Sequence, residues 1–141
     1  MREILFRGKR CDNKQWIEGF YVLIGEENPN AYIVKNNGQK IRVAHKSVSQ
    51  YTGLTDENGK KIFEDDVVEY ESHGYIPSVE RGRVTFKDGC YNIMHNLKYC
   101  GLYYHRIGMV SQWQDMGASG KITYTYKIIG NIHDNPELVE V

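Results

Sequence analysis

Glu64, Asp65 and Asp66 stand side by side in the middle of the chain, and carboxylate oxygens are the ligands that hard divalent cations prefer. Neighbouring side chains on a strand point to opposite faces, so these three converge only where a turn folds them together. The other reading is a turn leading into a strand, a place where Asp bonds nearby backbone N–H groups. Cys90, His95, Cys100 and His105 recur every five residues. Thiolate and imidazole are the ligands of zinc, but structural zinc sites are built from closely spaced pairs, and an odd spacing along strands alternates faces. They read as separate core and surface positions.

His133 beside Asp134 is similar to the His-Asp pair of metal-dependent phosphohydrolases, whose companion ligands on surrounding helices have no counterpart here; a metal site needs several convergent donors. The chain has no Gly-x-Ser-x-Gly elbow, no phosphate-cradling Gly-x-x-x-x-Gly-Lys and no dinucleotide fingerprint. No residue is therefore assigned a catalytic, cofactor-binding or metal-binding role, no cofactor is expected, and the protein is read as a non-enzyme. A metal-dependent hydrolase ranks behind two binding functions.

Binding chemistry is better supplied. The 11 tyrosines offer apolar area with a hydrogen-bonding tip, suited to protein interfaces and to stacking on bases, although most must serve sheet packing. The candidate nucleic-acid surface combines Lys35, Lys40, Arg42 and Lys46 with Tyr103 and Tyr104. Overall, 18 basic residues balance 18 acidic ones, so the global field does not draw in a polyanion. The balance is uneven along the chain: residues 1 to 50 carry a net +4, residues 51 to 80 a net −6 and residues 81 to 141 a net +2. Opposite blocks can steer self-association into a homo-oligomer; the plainer account is that these charges solvate turns and strand faces.

The elements that must position these residues are strands. Short segments rich in Val, Ile, Tyr, Thr and Phe alternate with Asn, Asp, Gly and Pro clusters, the signature of a mostly antiparallel β protein with little helix. In Lys121 to Gly130, Ile122, Tyr124, Tyr126 and Ile128 fall on one face, with Lys and Thr on the other. In Gln15 to Ile24 both faces are apolar, Trp16, Phe20, Val22 and Ile24 against Ile17, Tyr21 and Leu23, which predicts a central strand covered on both sides with Gly19 at a bulge or close approach. Further strands are expected at Glu3 to Arg7, Tyr32 to Lys35, Lys40 to Val43, Asp66 to Glu71, Val79 to Phe86 and Cys90 to Met94. Asn37-Gly38, Asn58-Gly59 and Asp88-Gly89 mark hairpin turns. Tyr103 to Ser119 fits either a helix or a strand and is read as a strand ending in a loop at Gly117 to Gly120. Near the C-terminus Asn135 is expected to cap a helical turn with Pro136 at its first position and Leu138 turned inward.

At 141 residues the chain is one compact domain that can bury a core of its own, with room for two lobes, 1 to 50 and 51 to 141. Three cysteines with no close pair fit a reducing compartment better than a disulfide framework. Neither a signal peptide nor an apolar run long enough to span a membrane is seen, so a cytoplasmic protein without membrane contact is expected.

Two stretches are more particular than composition requires: the TGL, DENGKKIF and DDVV elements of Thr52 to Val68, and GNIHDNPEL, Gly130 to Leu138. Together they resemble the YopX family of phage and prophage proteins, and the likeness extends in outline over nearly the whole chain. The resemblance implies no attributable activity. It marks Gly53, Asn58, Gly59, Asp66, Gly130, Asn131, Asn135 and Pro136 as structural motif positions. Members usually carry Gly where this chain has Asp65, and often Tyr-Glu where it has His133-Asp134. The Asp-Val-Val strand, the Gly-Arg-Val-Thr-Phe strand and the Asp-Gly hairpin look like part of an SH3-like small barrel. The implied function is that of an accessory protein in a bacterial host's cytoplasm, binding a phage or host protein or copies of itself, with nucleic-acid binding as the alternative.

Overall fold

A computed structural model describes residues 1–74, 76–97, 101–107, 111–115 and 118–139, with the side chains of 96–97, 101–104, 111–115 and 118–122 left out of the description. The protein is mostly β, with strands in two antiparallel sheets and, among the described residues, two three-residue 3-10 turns as its helical content. The chain divides into two compact units, Met1–Gly53 and Leu54–Val141.

The first unit holds β1 (Phe6–Lys9), β2 (Trp16–Ile24), β3 (Asn30–Val34), β4 (Lys40–Arg42) and the start of β5 (Ser49–Thr55), in the spatial order β4-β3-β2-β1-β5. Register decides what each face carries. Phe6 pairs with Gly19 and Gly8 with Ile17; Tyr21 pairs with Ile33 and Leu23 with Ala31; Ile33 pairs with Ile41. One face is therefore apolar along every strand, and its core is Ala31, Ile33 and Val43, packed by Phe6, Ile17, Tyr21 and Val48. Gly19 lies where an added Cβ would run into the Val34 carbonyl, the close approach expected at that position. The expectation that β2 is covered on both sides is overturned, because Phe20, Val22 and Ile24 on its other face are exposed, as is Leu23 on the core face near the end of the strand.

β5 crosses into the second unit and turns back through Asp56 to Lys60 into β6 (Lys61–Phe63). The second sheet holds β7 (Asp66–His73), β8 (Ser78–Lys87), β9 (Cys90–Leu97), β10 (Gly101–Arg106), β11 (Ser111–Asp115) and β12 (Ala118–Asn131). Their order is β10-β9-β8-β7-β12-β11, an open sheet with ends at β10 and β11, so the barrel closure expected of the SH3-like element is not carried by this topology. The core is Ile62, Val68, Tyr70, Val84, Ile93, Ile107 and Tyr126, packed by Tyr91, Tyr124 and Ile128. Tyr124, Tyr126 and Ile128 share a face as their alternation requires, and the register slips between Ile128 and Gly130, a bulge that ends the regular pleat.

Within Tyr103 to Ser119, residues 103–106 lie in β10, 111–115 in β11 and 118–119 in β12, strand rather than helix; residues 108–110 and 116 lie outside the described residues. Ala118 to Gly120 belong to β12 where a loop was expected, because they pair back onto Asp115 to Trp113; Gly117 lies outside the described residues. Among the described residues no helix is long and apolar enough to cross a membrane.

Candidate functional site

The carboxylate run is pulled apart by its turn. Asp65 takes a left-handed backbone, φ 71°, a conformation that Asp tolerates better than most residues. Its Oδ1 accepts hydrogen bonds from Arg83 Nη2 at 2.7 Å and Nε at 3.1 Å, and its Oδ2 lies 3.1 Å from His133 Nε2. Asp66, 1% exposed, turns inward, where its Oδ2 accepts the Phe63 N–H at 2.8 Å. Burial, and then the neighbouring Asp65, hold Glu64 above the usual glutamate range. Each carboxylate faces its own surroundings, and among the described residues no three His, Cys, Asp or Glu side chains are grouped to hold a metal ion.

Of the spaced Cys and His residues, His95 and His105 come together, both against Tyr70. Cys90 Sγ lies 3.4 Å from the Lys87 carbonyl, and Cys100 falls outside the described residues. His105, 2% exposed, stacks on Tyr70 with ring centroids 4.2 Å apart and puts Nε2 3.0 Å from the Tyr126 hydroxyl. Burial, helped by His95, pushes its pKa down to about 4. His95 is lowered too, mainly by burial, and its Nε2 is 3.0 Å from the Tyr70 hydroxyl. These imidazoles are therefore parts of an aromatic core.

The motif positions are consumed by turns. Gly53 and Gly59 have φ 88° and 78°, and Asn58 gives its N–H to Asp56 Oδ1 at 2.9 Å. Asp56 was not singled out from the sequence, yet it also accepts the Lys60 N–H at 2.9 Å and, through Oδ2, the Ile128 N–H at 3.2 Å. Its burial works to raise the pKa, but these backbone bonds outweigh it and hold the carboxylate below the usual range. The Asp-x-Asn-Gly pattern of an Asx turn was the signal available for it. Asn131 Oδ1 accepts the N–H groups of His133 and Asp134 at 3.0 and 2.9 Å. Gly130 has no room for a side chain, since a Cβ would come 2.5 Å from Asn135 Oδ1 and 2.8 Å from Leu138 Cδ1. Pro136 opens the last 3-10 turn, but Asn135 makes no side-chain cap bond to it; its Oδ1 turns back towards the Asn131 N–H at 3.5 Å, which corrects the capping role expected of it.

The proposed basic and aromatic surface draws on residues of both units. Lys40 and Arg42 are on β4, Lys46 is in the 3-10 turn that follows, and Lys35 opens the tight turn closed by the Gly38 N–H. Tyr103 and Tyr104 belong to β10 in the second unit, and their side chains lie outside those described. Among the described side chains, Tyr32 accompanies Lys40.

On the outer face of the first sheet, Phe20 is cross-strand from Val34, which faces Lys40; the next row is Val22, Tyr32 and Arg42. At the other margin Arg7 stands opposite Glu18, and Lys9 opposite Trp16. Arg7 Cζ sits 4.7 Å above the Trp16 ring and Lys40 Nζ 4.9 Å above Tyr32, cation–π contacts that hold the charged tips beside apolar surface. Arg42 Nη2 donates to Asn30 Oδ1 at 2.8 Å. An apolar strip of Phe20, Val22 and Ile24, exposed in the folded chain, is thus bordered by cations on β1 and β4. The sequence hid this because β2 alternates two apolar faces, and only pairing shows which one has a partner.

A family model described as YopX protein matches residues 5–140 of the chain. The crystal structure of protein EF1440 from Enterococcus faecalis is similar at 21% sequence identity over 99% of this chain and 100% of that one, with a TM-score of 0.49. None of the curated proteins matches.

Proposed function

The chain belongs to the YopX family, and on that premise we propose that it is a phage or prophage accessory protein that acts by binding and carries out no catalysis. The observation that carries this reading is the outer face of the first sheet, where Phe20 is 55% exposed among paired cations. Water-exposed apolar strips of this kind, rimmed by polar groups, are what interaction sites present. The family's phage association supplies the biological setting, and the free thiols of Cys11 and Cys90 support the cytoplasm of a bacterial host.

A photo-crosslinking residue at position 20, expressed in the host, tests the reading. Discrete macromolecular adducts are expected from position 20 and not from the exposed hairpin tip at position 58; adducts from neither position would remove the reading.

Self-association is the second form of this proposal, and the segregated charge of residues 1 to 50 and 51 to 80 favours it. Against it, Asp56, Asp65 and Asp66 are engaged in turns, and Glu69 lies cross-strand between Arg81 and Lys127, so much of the acidic block is spent within its own unit. A monomer by light scattering across micromolar concentrations and varied salt removes the homo-oligomer.

A further inference from the structure

We propose that the outer face of the first sheet binds single-stranded nucleic acid, an inference that rests on the binding reading above and names its partner. Three features of that face point the same way. The first is charge: Arg7 and Lys9 on one margin and Lys40 and Arg42 on the other meet Glu18 as the acidic side chain placed among them by register, within a segment of net +4. Such a rim suits a phosphate backbone and opposes an equally basic protein surface.

The second is the chemistry between the margins. Trp16, Phe20 and Tyr32 share this face, and aromatic rings on an open sheet are the platforms on which unpaired bases stack, whatever their sequence. The third is shape. From β1 to β4 the face crosses three strand spacings, about 14 Å, and curls as it goes, because the Arg10–Val43 bridge and the Ala44 N–H bond to the Lys9 carbonyl bring the end of β4 back to β1. A convex face of this kind accepts splayed bases, whereas a duplex hides its base faces and offers only its phosphates. Arg7 and Lys40 already sit over Trp16 and Tyr32, so the exposed Phe20 is the ring offered to a base, with positive charge held on either side of it at the margins.

Lys40 and Arg42 were grouped from the sequence with Lys35, Lys46, Tyr103 and Tyr104. Here Lys40 and Arg42 are kept and joined by Arg7, Lys9, Trp16, Phe20 and Tyr32, which share the outer face of one sheet. The partner surface is thereby placed within one unit.

The test is fluorescence anisotropy of the full chain with labelled 12-nucleotide oligo-dT and oligo-U, a 12-base-pair duplex and a polyglutamate peptide. Single strands are expected to bind at 50 mM salt and to weaken about 20- to 50-fold by 200 mM, as for three to four phosphates neutralised. Phe20→Ala is expected to weaken binding roughly tenfold, and Lys40→Glu with Arg42→Glu to lower the salt slope. Unchanged circular dichroism and melting would show that both variants remain folded. No single-strand binding at 50 mM overturns the inference, as does duplex or polyglutamate binding of equal strength. Position-20 adducts that resist nuclease and yield to protease, together with silent oligonucleotides, would leave the binding module standing and remove its nucleic-acid partner.

Discussion

Asp65 Oδ2 and His133 Nε2 lie 3.1 Å apart across 68 residues of chain, while the other oxygen of the same carboxylate takes Arg83 Nη2 at 2.7 Å. A left-handed Asp costs more than a Gly would at this position, and its carboxylate gains Arg83 and His133 in return.

Asp65→Ala keeps the backbone strain and discards both partners, so it should lower stability by about 1–3 kcal/mol. Asp65→Gly should cost about 1 kcal/mol less. Urea denaturation of the two variants separates strain from pairing, and equal losses would show that the left-handed geometry carries no cost at this site.

His105 predicts an acid-sensitive core. Its pKa falls to about 4 in the folded state against about 6.5 unfolded, so the unfolded chain binds more protons between those values. Stability contributed by neutral His105 is complete above about pH 6.5 and declines as pH falls, the loss saturating below the folded value, on the order of 3 kcal/mol in all. His95, lowered in the same direction, adds to the slope. Melting temperatures from pH 4 to 7 should rise steeply for the natural chain and less for the double variant His105→Phe, Tyr126→Phe, in which neither polar partner is left alone.

Asp56 joins a hairpin to a distant strand. Asp56→Ala strips acceptors from three backbone N–H groups and should cost about 2–4 kcal/mol; Asp56→Asn, which keeps an oxygen, should cost less. Because its folded pKa is lowered, its contribution is present above the ordinary Asp pKa and is lost as pH drops through the folded value. Chemical denaturation at pH 7 and pH 3 reads both effects, and an Asn variant as damaged as the Ala variant would contradict the hydrogen-bonding role.

The two faces of the first sheet should respond differently to truncation. Ile33→Ala removes a fully buried side chain and should cost about 2–5 kcal/mol, whereas Phe20→Ser should cost at most about 1 kcal/mol. A Phe20 variant as unstable as the Ile33 variant would mean that the outer face is packed in solution.

Much of the fold could be read from the sequence because period-2 alternation and turn residues are local. Tyr124, Tyr126 and Ile128 share a face as their spacing demands, and Asp88 and Gly89 take the positive φ values of a tight hairpin. The candidate site was read less well. Lys40 and Arg42 were visible as charges, but their neighbours across β2 and β3 are set by strand order, which composition does not encode. Asp65 and His133 likewise looked unrelated until the β7–β12 pairing, with Asn131 opposite Asp66, brought the two turns together. Asn135 was misread because the same short amide can cap the helical turn after it or bond back to the turn before it.

Gly59 and Gly130 belong to the two diagnostic motifs for opposite reasons. An added methyl at Gly59 meets nothing within 4 Å, while at Gly130 it meets Asn135. Position 59 therefore selects by chirality and position 130 by volume. A synthetic chain carrying D-alanine at 59 would keep the hairpin that L-alanine strains, so at this tip the mirror image of an ordinary residue is the better fit.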